Sequence, residues 1–190
     1  MKSGRIGSQC VDPRWPNFAA GRRTYHERIE QAVESLLESG CREIHILAHS
    51  LGSVISYDWL VSQRADGYPV TVLHTIGSPL NKFWYLDHAR SARLLDRQGL
   101  SRLGGRWTNY WAWSDIVSGV LARYGTDAGG VSNTRLRWLG IALFSHGHYW
   151  KNPVVLAGVR REIERSFRGA AGSSPSSDPS GNSMTSGTSR

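Results

Sequence analysis

The stretch Ile44-His45-Ile46-Leu47-Ala48-His49-Ser50-Leu51-Gly52-Ser53 decides how this chain is read. Ile44, Ile46 and Leu47 make a short apolar run with β-branched members, long enough for a buried strand and too short for a helix. Leu51 to Ser62 follows with Val54, Ile55, Tyr57, Trp59 and Leu60, a mostly apolar helix of about three turns. A serine therefore stands at a strand-to-helix junction, with the small residues Ala48 and Gly52 two positions to either side. A sharp turn of this kind needs them, because the strand and helix backbones approach the residues flanking the serine. In such a turn the serine Oγ projects above the carboxyl end of the sheet, and the N–H of the next residue, Leu51, points where an oxyanion can develop. The bland alternative is an ordinary turn with Ser50 as N-cap of the helix.

Working outward, the same alternation recurs. Upstream, Thr24-Tyr25-His26-Glu27 matches a capping box and is expected to start a helix; Ile29, Val33, Leu36 and Leu37 follow at one-face spacing, and Gly40 supplies a stop. Downstream, residues 70–77 read as a second strand, Phe83 to Arg97 as a helical or irregular stretch, and Arg106 to Trp113 as a third strand. Asn152-Pro153 caps a final helix whose apolar face is expected to be Leu156, Val159, Ile163 and Phe167. Apolar runs alternating with helices imply the α/β class, a mainly parallel sheet flanked by helices. Residues 1–22, with prolines at 13 and 16, are expected to be an irregular lead-in, and residues 23–168 the folded domain. Residues 169–190 hold eight Ser, four Gly and two Pro and no Val, Ile, Leu, Phe, Tyr or Trp, so they are expected to be a disordered tail.

Composition narrows the function classes. At 190 residues, 39% of them apolar before its 21 Gly are counted, the chain is expected to be globular, with one domain or slightly more. Lys and Arg outnumber Asp and Glu by 23 to 15, a net charge of +8, which permits contact with nucleic acid or an anionic membrane surface. The basic residues are scattered, however, with Asp87, Asp96, Glu162 and Glu164 among Arg90, Arg93, Arg97, Arg160, Arg161 and Arg165, so no nucleic-acid partner is expected. Cys10 and Cys41 have neither metal-ligand spacing nor a C-x-x-C pattern. With no signal-peptide core and no apolar run long enough for a membrane span, a reduced, cytoplasmic setting is expected.

A serine hydroxyl is a poor nucleophile until a base removes its proton, and that base needs an acid to orient it. In strand–turn–serine architectures the partners follow in the order Ser, Asp or Glu, then His. Asp115 follows the third expected strand, at the sheet edge that Ser50 also occupies; His146 and His148 lie in a loop before the last helix. Asp87 and Asp96 are weaker candidates for the acid, since each lies in a helical or basic stretch. His146 and His148 could instead ligate a metal with His49 or a carboxylate, but no further ligands stand at an expected spacing. Trp84, Trp111, Trp113 and Trp150 fall near the same edge, where they either line an acyl pocket or pack helix against sheet.

Four motifs stand in order along residues 24–165: His49 to Ile55, Gly77 to Leu80, Trp107 and Asn109 with Asp115 and Val117, and His146 with Tyr149 and Trp150. In them the chain resembles the α/β-hydrolase superfamily, specifically its bacterial lipase- and esterase-like members. The resemblance implies a serine hydrolase acting on a small-molecule or lipid carboxylic ester, with Ser50 as nucleophile, Asp115 as orienting acid, His146 as base with His148 its rival, and the Leu51 N–H as oxyanion donor. Gly77-Ser78-Pro79 would line the site as a sheet-edge turn, and no metal or cofactor is implied. Members of the superfamily place several strands before the nucleophile, and the loop after one supplies a second oxyanion N–H. Here only 22 irregular residues precede the helix leading to Ser50, so a partial α/β-hydrolase fold is expected. A start assigned too late on a longer gene, a degenerate homologue that serves as an interaction module, and a compact variant completed by a partner chain all fit that expectation.

Overall fold

The structure is a computed structural model of the chain, and it describes residues 16–61, 67–82, 106–124, 130–137 and 145–172. Its elements are α1 (Pro16–Glu38), β1 (Ile44–His49), α2 (Leu51–Val61), β2 (Val70–Ile76), β3 (Trp107–Ala112), β4 (Ser132–Leu136), a 3-10 turn at Ser145–Lys151 and α3 (Pro153–Gly172). The four strands form one all-parallel sheet in the order β1-β2-β3-β4, an α/β arrangement.

Alternation along the strands sends their side chains to two cores. On one face Ile44, Leu73 and Trp107 pack with Val33 of α1 and with Val54, Tyr57 and Leu60 of α2. On the other, Ile76, Tyr110, Ala112 and Leu136 pack with Tyr149 and with Val155 of α3. A sheet covered on both sides explains why β2 reads as a near-continuous apolar run. On α3, a methyl group at Gly158 would overlap the Tyr110 hydroxyl, so glycine is what lets helix and sheet approach there.

Strand positions agree with the sequence reading to within one residue, while three other expectations are corrected. The first helix starts at Pro16, eight residues before Thr24, inside the stretch expected to be irregular. Glu27 accepts from Arg23 Nε at 3.0 Å, one turn away on a continuing helix, rather than reaching back to cap an N-terminus. Gly40 does end it: φ is +86°, with Cys41 N–H donating to Leu36 O and Gly40 N–H to Leu37 O, the paired bonds of a left-handed helix stop.

The second correction concerns α3. Leu156, Ile163 and Phe167 are exposed, and the buried side runs through Val155, Val159, Glu162 and Ser166. The reason is a polar clamp at the amino end of the sheet. Glu43 Oε1 accepts from Thr71 Oγ1 (2.6 Å), Ser166 Oγ (2.7 Å) and Arg106 Nη1 (2.8 Å), while Arg106 Nε donates to Glu162 (3.3 Å). Burial alone would raise the Glu43 carboxyl, but these donors and the guanidinium charge outweigh it and hold it down at about 2. The clamp turns Glu162 and Ser166 towards the sheet, which leaves the apolar stripe outside. Third, α3 runs to Gly172, past the expected tail boundary.

A fourth strand carries no apolar pattern in the sequence. β4, Ser132-Asn133-Thr134-Arg135-Leu136, buries only Leu136 and is held by polar contacts, with Asn133 Oδ1 accepting from Asn109 Nδ2 and from Leu121 N–H, both at 2.9 Å. The stretch from Phe83 to Arg97, with Trp84, Asp87 and Asp96, lies outside the described residues, as do Cys10 and residues 173–190. Cys41 is exposed and unpaired by any disulfide. No helix among the described residues is long and apolar enough to cross a membrane.

Candidate active site

Parallel strands bring their carboxyl ends to one edge, and three of the four end in residues that meet there. β1 runs straight into Ser50, whose N–H continues the ladder by donating to Ile76 O of β2 at 3.0 Å. Its φ of 52° is the only positive value at a non-glycine position among the described residues. That left-handed backbone costs an L-residue on the order of 1–2 kcal/mol, and it is the bend that sends the chain from strand into α2 within one residue. Ser53 N–H (2.9 Å) and Ser53 Oγ (2.6 Å) both donate to Ser50 O, fixing the first turn of α2 beneath the serine. Leu51 is the first residue of α2, so its N–H has no acceptor within the helix.

β3 delivers the acid. Its last residue, Ala112, accepts from Asp115 N–H at 3.1 Å, closing the turn that folds the Asp115 side chain inward. Val117 N–H donates to Asp115 Oδ1 at 2.9 Å, and the carboxylate is fully buried. Burial by itself would raise its pKa, but bonds from His146, Val117 and Tyr149 more than compensate and hold it below the usual carboxylate value.

The 3-10 turn delivers the imidazole. Ser145 Oγ donates to Ser114 O at 2.6 Å, tying this turn to the loop that carries Asp115. His146 then spans the gap, with Nδ1 3.0 Å from Asp115 Oδ2 and Nε2 2.7 Å from Ser50 Oγ. An ionised carboxylate can only accept, so the Nδ1 proton belongs on the Asp115 side, leaving Nε2 to accept from the serine hydroxyl. Such a line can pass a proton from hydroxyl to imidazole while the carboxylate stabilises the resulting cation. Of the two loop histidines, His146 stands against Ser50, and His148 is exposed on the next positions of the turn.

Three further residues complete the environment. His49 Nε2 donates to the His146 carbonyl at 2.7 Å and its ring stands 4.7 Å from that of His146, so the residue before Ser50 holds the backbone of His146. Gly77, at the end of β2, has φ of +60°, and a methyl group there would meet Tyr149 Cε2 at 2.9 Å and His146 Cε1 at 3.1 Å. Tyr149 is fully buried and donates to Asp115 Oδ2 at 2.8 Å. The signal for Tyr149 was its spacing, since residues i and i+3 eclipse in a 3-10 turn and a residue three after His146 shares its side. Ser78 is buried, and since Ser53 Oγ gives its one proton to Ser50 O, Ser78 Oγ donates to Ser53 Oγ at 2.7 Å, a packing role beneath α2.

The tryptophans divide. Trp59 and Trp107 belong to the core, whereas Trp113 (75% exposed) and Trp150 (49% exposed) face outward, Trp150 with its ring 5.7 Å from that of His49. Among the described residues no group of three His, Cys, Asp or Glu side chains converges as a metal site would require. A scan against models of known protein families finds no match to this chain, and neither does a search of curated proteins.

Proposed function

We propose that the protein is a serine hydrolase of the α/β-hydrolase type, acting on carboxylic esters through an acyl-enzyme. One observation carries the reading: Ser50 Oγ, His146 and Asp115 are joined by hydrogen bonds of 2.7 and 3.0 Å, with Ser50 on a strained turn at the start of a helix. Ser50 Oγ attacks the acyl carbonyl carbon as its proton moves to His146 Nε2. The carbonyl oxygen becomes an oxyanion that accepts from Leu51 N–H. As the tetrahedral adduct collapses, the C–O bond to the alcohol breaks and His146 returns the proton to the departing oxygen. Water then attacks the Ser50 ester with His146 again as base, releasing the acid and restoring the serine. Asp115 accepts from Nδ1–H throughout and stabilises the imidazolium.

Covalent labelling with a fluorophosphonate tests the reading. The intact protein is expected to be labelled at one site, and Ser50→Ala to be inert. No labelling of the intact protein, or equal labelling of Ser50→Ala, rejects it. A second reading, an interaction module, is favoured by the exposed stripe of Leu156, Ile163 and Phe167 on α3, which leaves apolar surface without a covering element among the described residues. It predicts concentration-dependent self-association or complex formation in size-exclusion chromatography.

A further inference from the structure

We propose that Tyr149 is a positioning residue of this site: its phenol and the His146 imidazole share one oxygen of Asp115, so Tyr149 holds the carboxylate and sets the pH at which His146 gains a proton. The proposal rests on the hydrolase reading and adds regulation of the same site.

The argument is one of proton bookkeeping at a single atom. Asp115 Oδ2 lies 2.8 Å from Tyr149 Oη and 3.0 Å from His146 Nδ1, while Oδ1 is taken by Val117 N–H at 2.9 Å. The phenol has one proton and the carboxylate has none to offer, so that proton lies on the 2.8 Å contact. Ser118 Oγ stands 3.0 Å from Tyr149 Oη, with Ala112 O at 3.3 Å and Asp115 O at 3.4 Å as longer alternatives; its shortest contact gives its proton to the phenol oxygen, an ordered line from Ser118 through Tyr149 to Asp115. Burial raises the phenol well above its ordinary value; Ser118 works against that and Asp115 adds to it, so Tyr149 remains a donor through the range in which His146 works.

A donor on Oδ2 withdraws negative charge from the oxygen that faces the imidazole. Without the phenol, that oxygen stabilises the imidazolium more strongly, and His146 takes up its proton at a higher pH. The other titratable groups around the pair are His49, packed on His146 from β1, and His148 and Lys151 on the same turn. All three are unchanged in the variants below and cancel in the comparison. Phenylalanine retains the ring that packs against Gly77 and removes only the hydroxyl.

The test follows the His146 imidazole resonances by NMR through a pH titration of the full chain, in the unmodified protein, Tyr149→Phe and Ser118→Ala, with His146→Gln assigning the signals. The expected result is an upward move of the midpoint by about 0.5 pH unit or more in Tyr149→Phe, and a smaller move in the same direction in Ser118→Ala. A folded Tyr149→Phe whose midpoint coincides with that of the unmodified protein overturns the proposal. Should Tyr149→Phe not fold, an unmoved midpoint in Ser118→Ala does so. The titration needs no turnover, so its failure is distinct from failure of the hydrolase reading, which fluorophosphonate labelling decides. Where labelling occurs, the acid limb of its pH profile moves with the midpoint; a tyrosine that only packs would lower the rate at every pH and leave the limb in place.

Discussion

Replacing Gly77 by alanine imposes two separable penalties at one backbone position. The first is conformational: at φ of +60° an L-residue is strained by on the order of 1–2 kcal/mol. The second is steric, because the new methyl carbon would lie 2.9 Å from Tyr149 Cε2, 3.1 Å from His146 Cε1 and 3.2 Å from His146 Nδ1. Tyr149 is fully buried and bonded to Asp115, so it has little room to yield, and forcing a methyl into such a site costs roughly 1–3 kcal/mol. The sum is about 2–5 kcal/mol, a large share of the roughly 5–15 kcal/mol that holds a typical domain. Gly40 provides the control, since its φ is +86° and no atom lies within 4 Å of an added methyl, so Gly40→Ala carries the conformational penalty alone. Urea denaturation of the two variants, followed by tryptophan fluorescence and fitted with a common m value, separates the terms. Gly77→Ala is expected to be the less stable by about 1–3 kcal/mol and to be labelled more slowly by a fluorophosphonate, because the displaced imidazole no longer meets Ser50. If the two alanines cost the same, the close packing of Gly77 on His146 and Tyr149 is refuted.

Further outcomes follow from other contacts. Asp115→Asn leaves the site's shape but removes the acceptor that selects the His146 tautomer, and the labelling rate should fall by roughly 10⁴; a loss under about tenfold would separate Asp115 from the chemistry. Glu43, held at about 2 in the folded chain against 4.5 unperturbed, contributes stability that is complete above pH 4.5 and is lost as pH falls towards 2. Between pH 5 and pH 3 the urea midpoint should therefore drop less for Glu43→Gln than for the unmodified protein, and equal drops would contradict the clamp. Trp59→Ala empties a fully buried site and should cost about 3–5 kcal/mol in the same assay. Phe167→Ser, at 73% exposure, should change stability by no more than about 0.5 kcal/mol, so any reduction in self-association it causes reports on the α3 stripe rather than on folding.

What could be read in advance depended on whether burial and polarity agreed. In β1, α2, β2 and β3 they do: Ile44, Val54, Leu73 and Trp107 are both apolar and buried, so pattern and structure coincide. On α3 they part company, because Glu162 and Ser166 face the clamp around Glu43 while Leu156 and Phe167 face outward, and a rule that equates apolar with buried picks the wrong side. β4 is stabilised through Asn133, whose contacts to Asn109 and Leu121 leave no periodic trace. Proline and glycine at the chain start hid a helix that tolerates both, with Pro16 at its first position, where the missing N–H carries no cost. At the site, Ser50, Asp115 and His146 were legible because a strand-to-helix turn and a fixed order constrain them. The supporting roles of His49, Gly77 and Tyr149 arise only when the carboxyl ends of three strands and the 3-10 turn meet.

The two tethers that close this structure join distant parts of the chain. Ser50 and His146 are 96 positions apart, and Glu43 and Ser166 are 123 apart. Closing loops of that length is a late and cooperative event in folding, since their ordering entropy is lost before the contacts that offset it are made. During synthesis, Ser50 leaves the ribosome long before the imidazole that bonds to it exists, and the clamp that seats α3 forms only when nearly the whole described chain is present. An unfinished or locally opened molecule therefore carries a bare, unassisted hydroxyl. Under the hydrolase chemistry proposed above, labelling of Ser50 reports that the whole chain has folded.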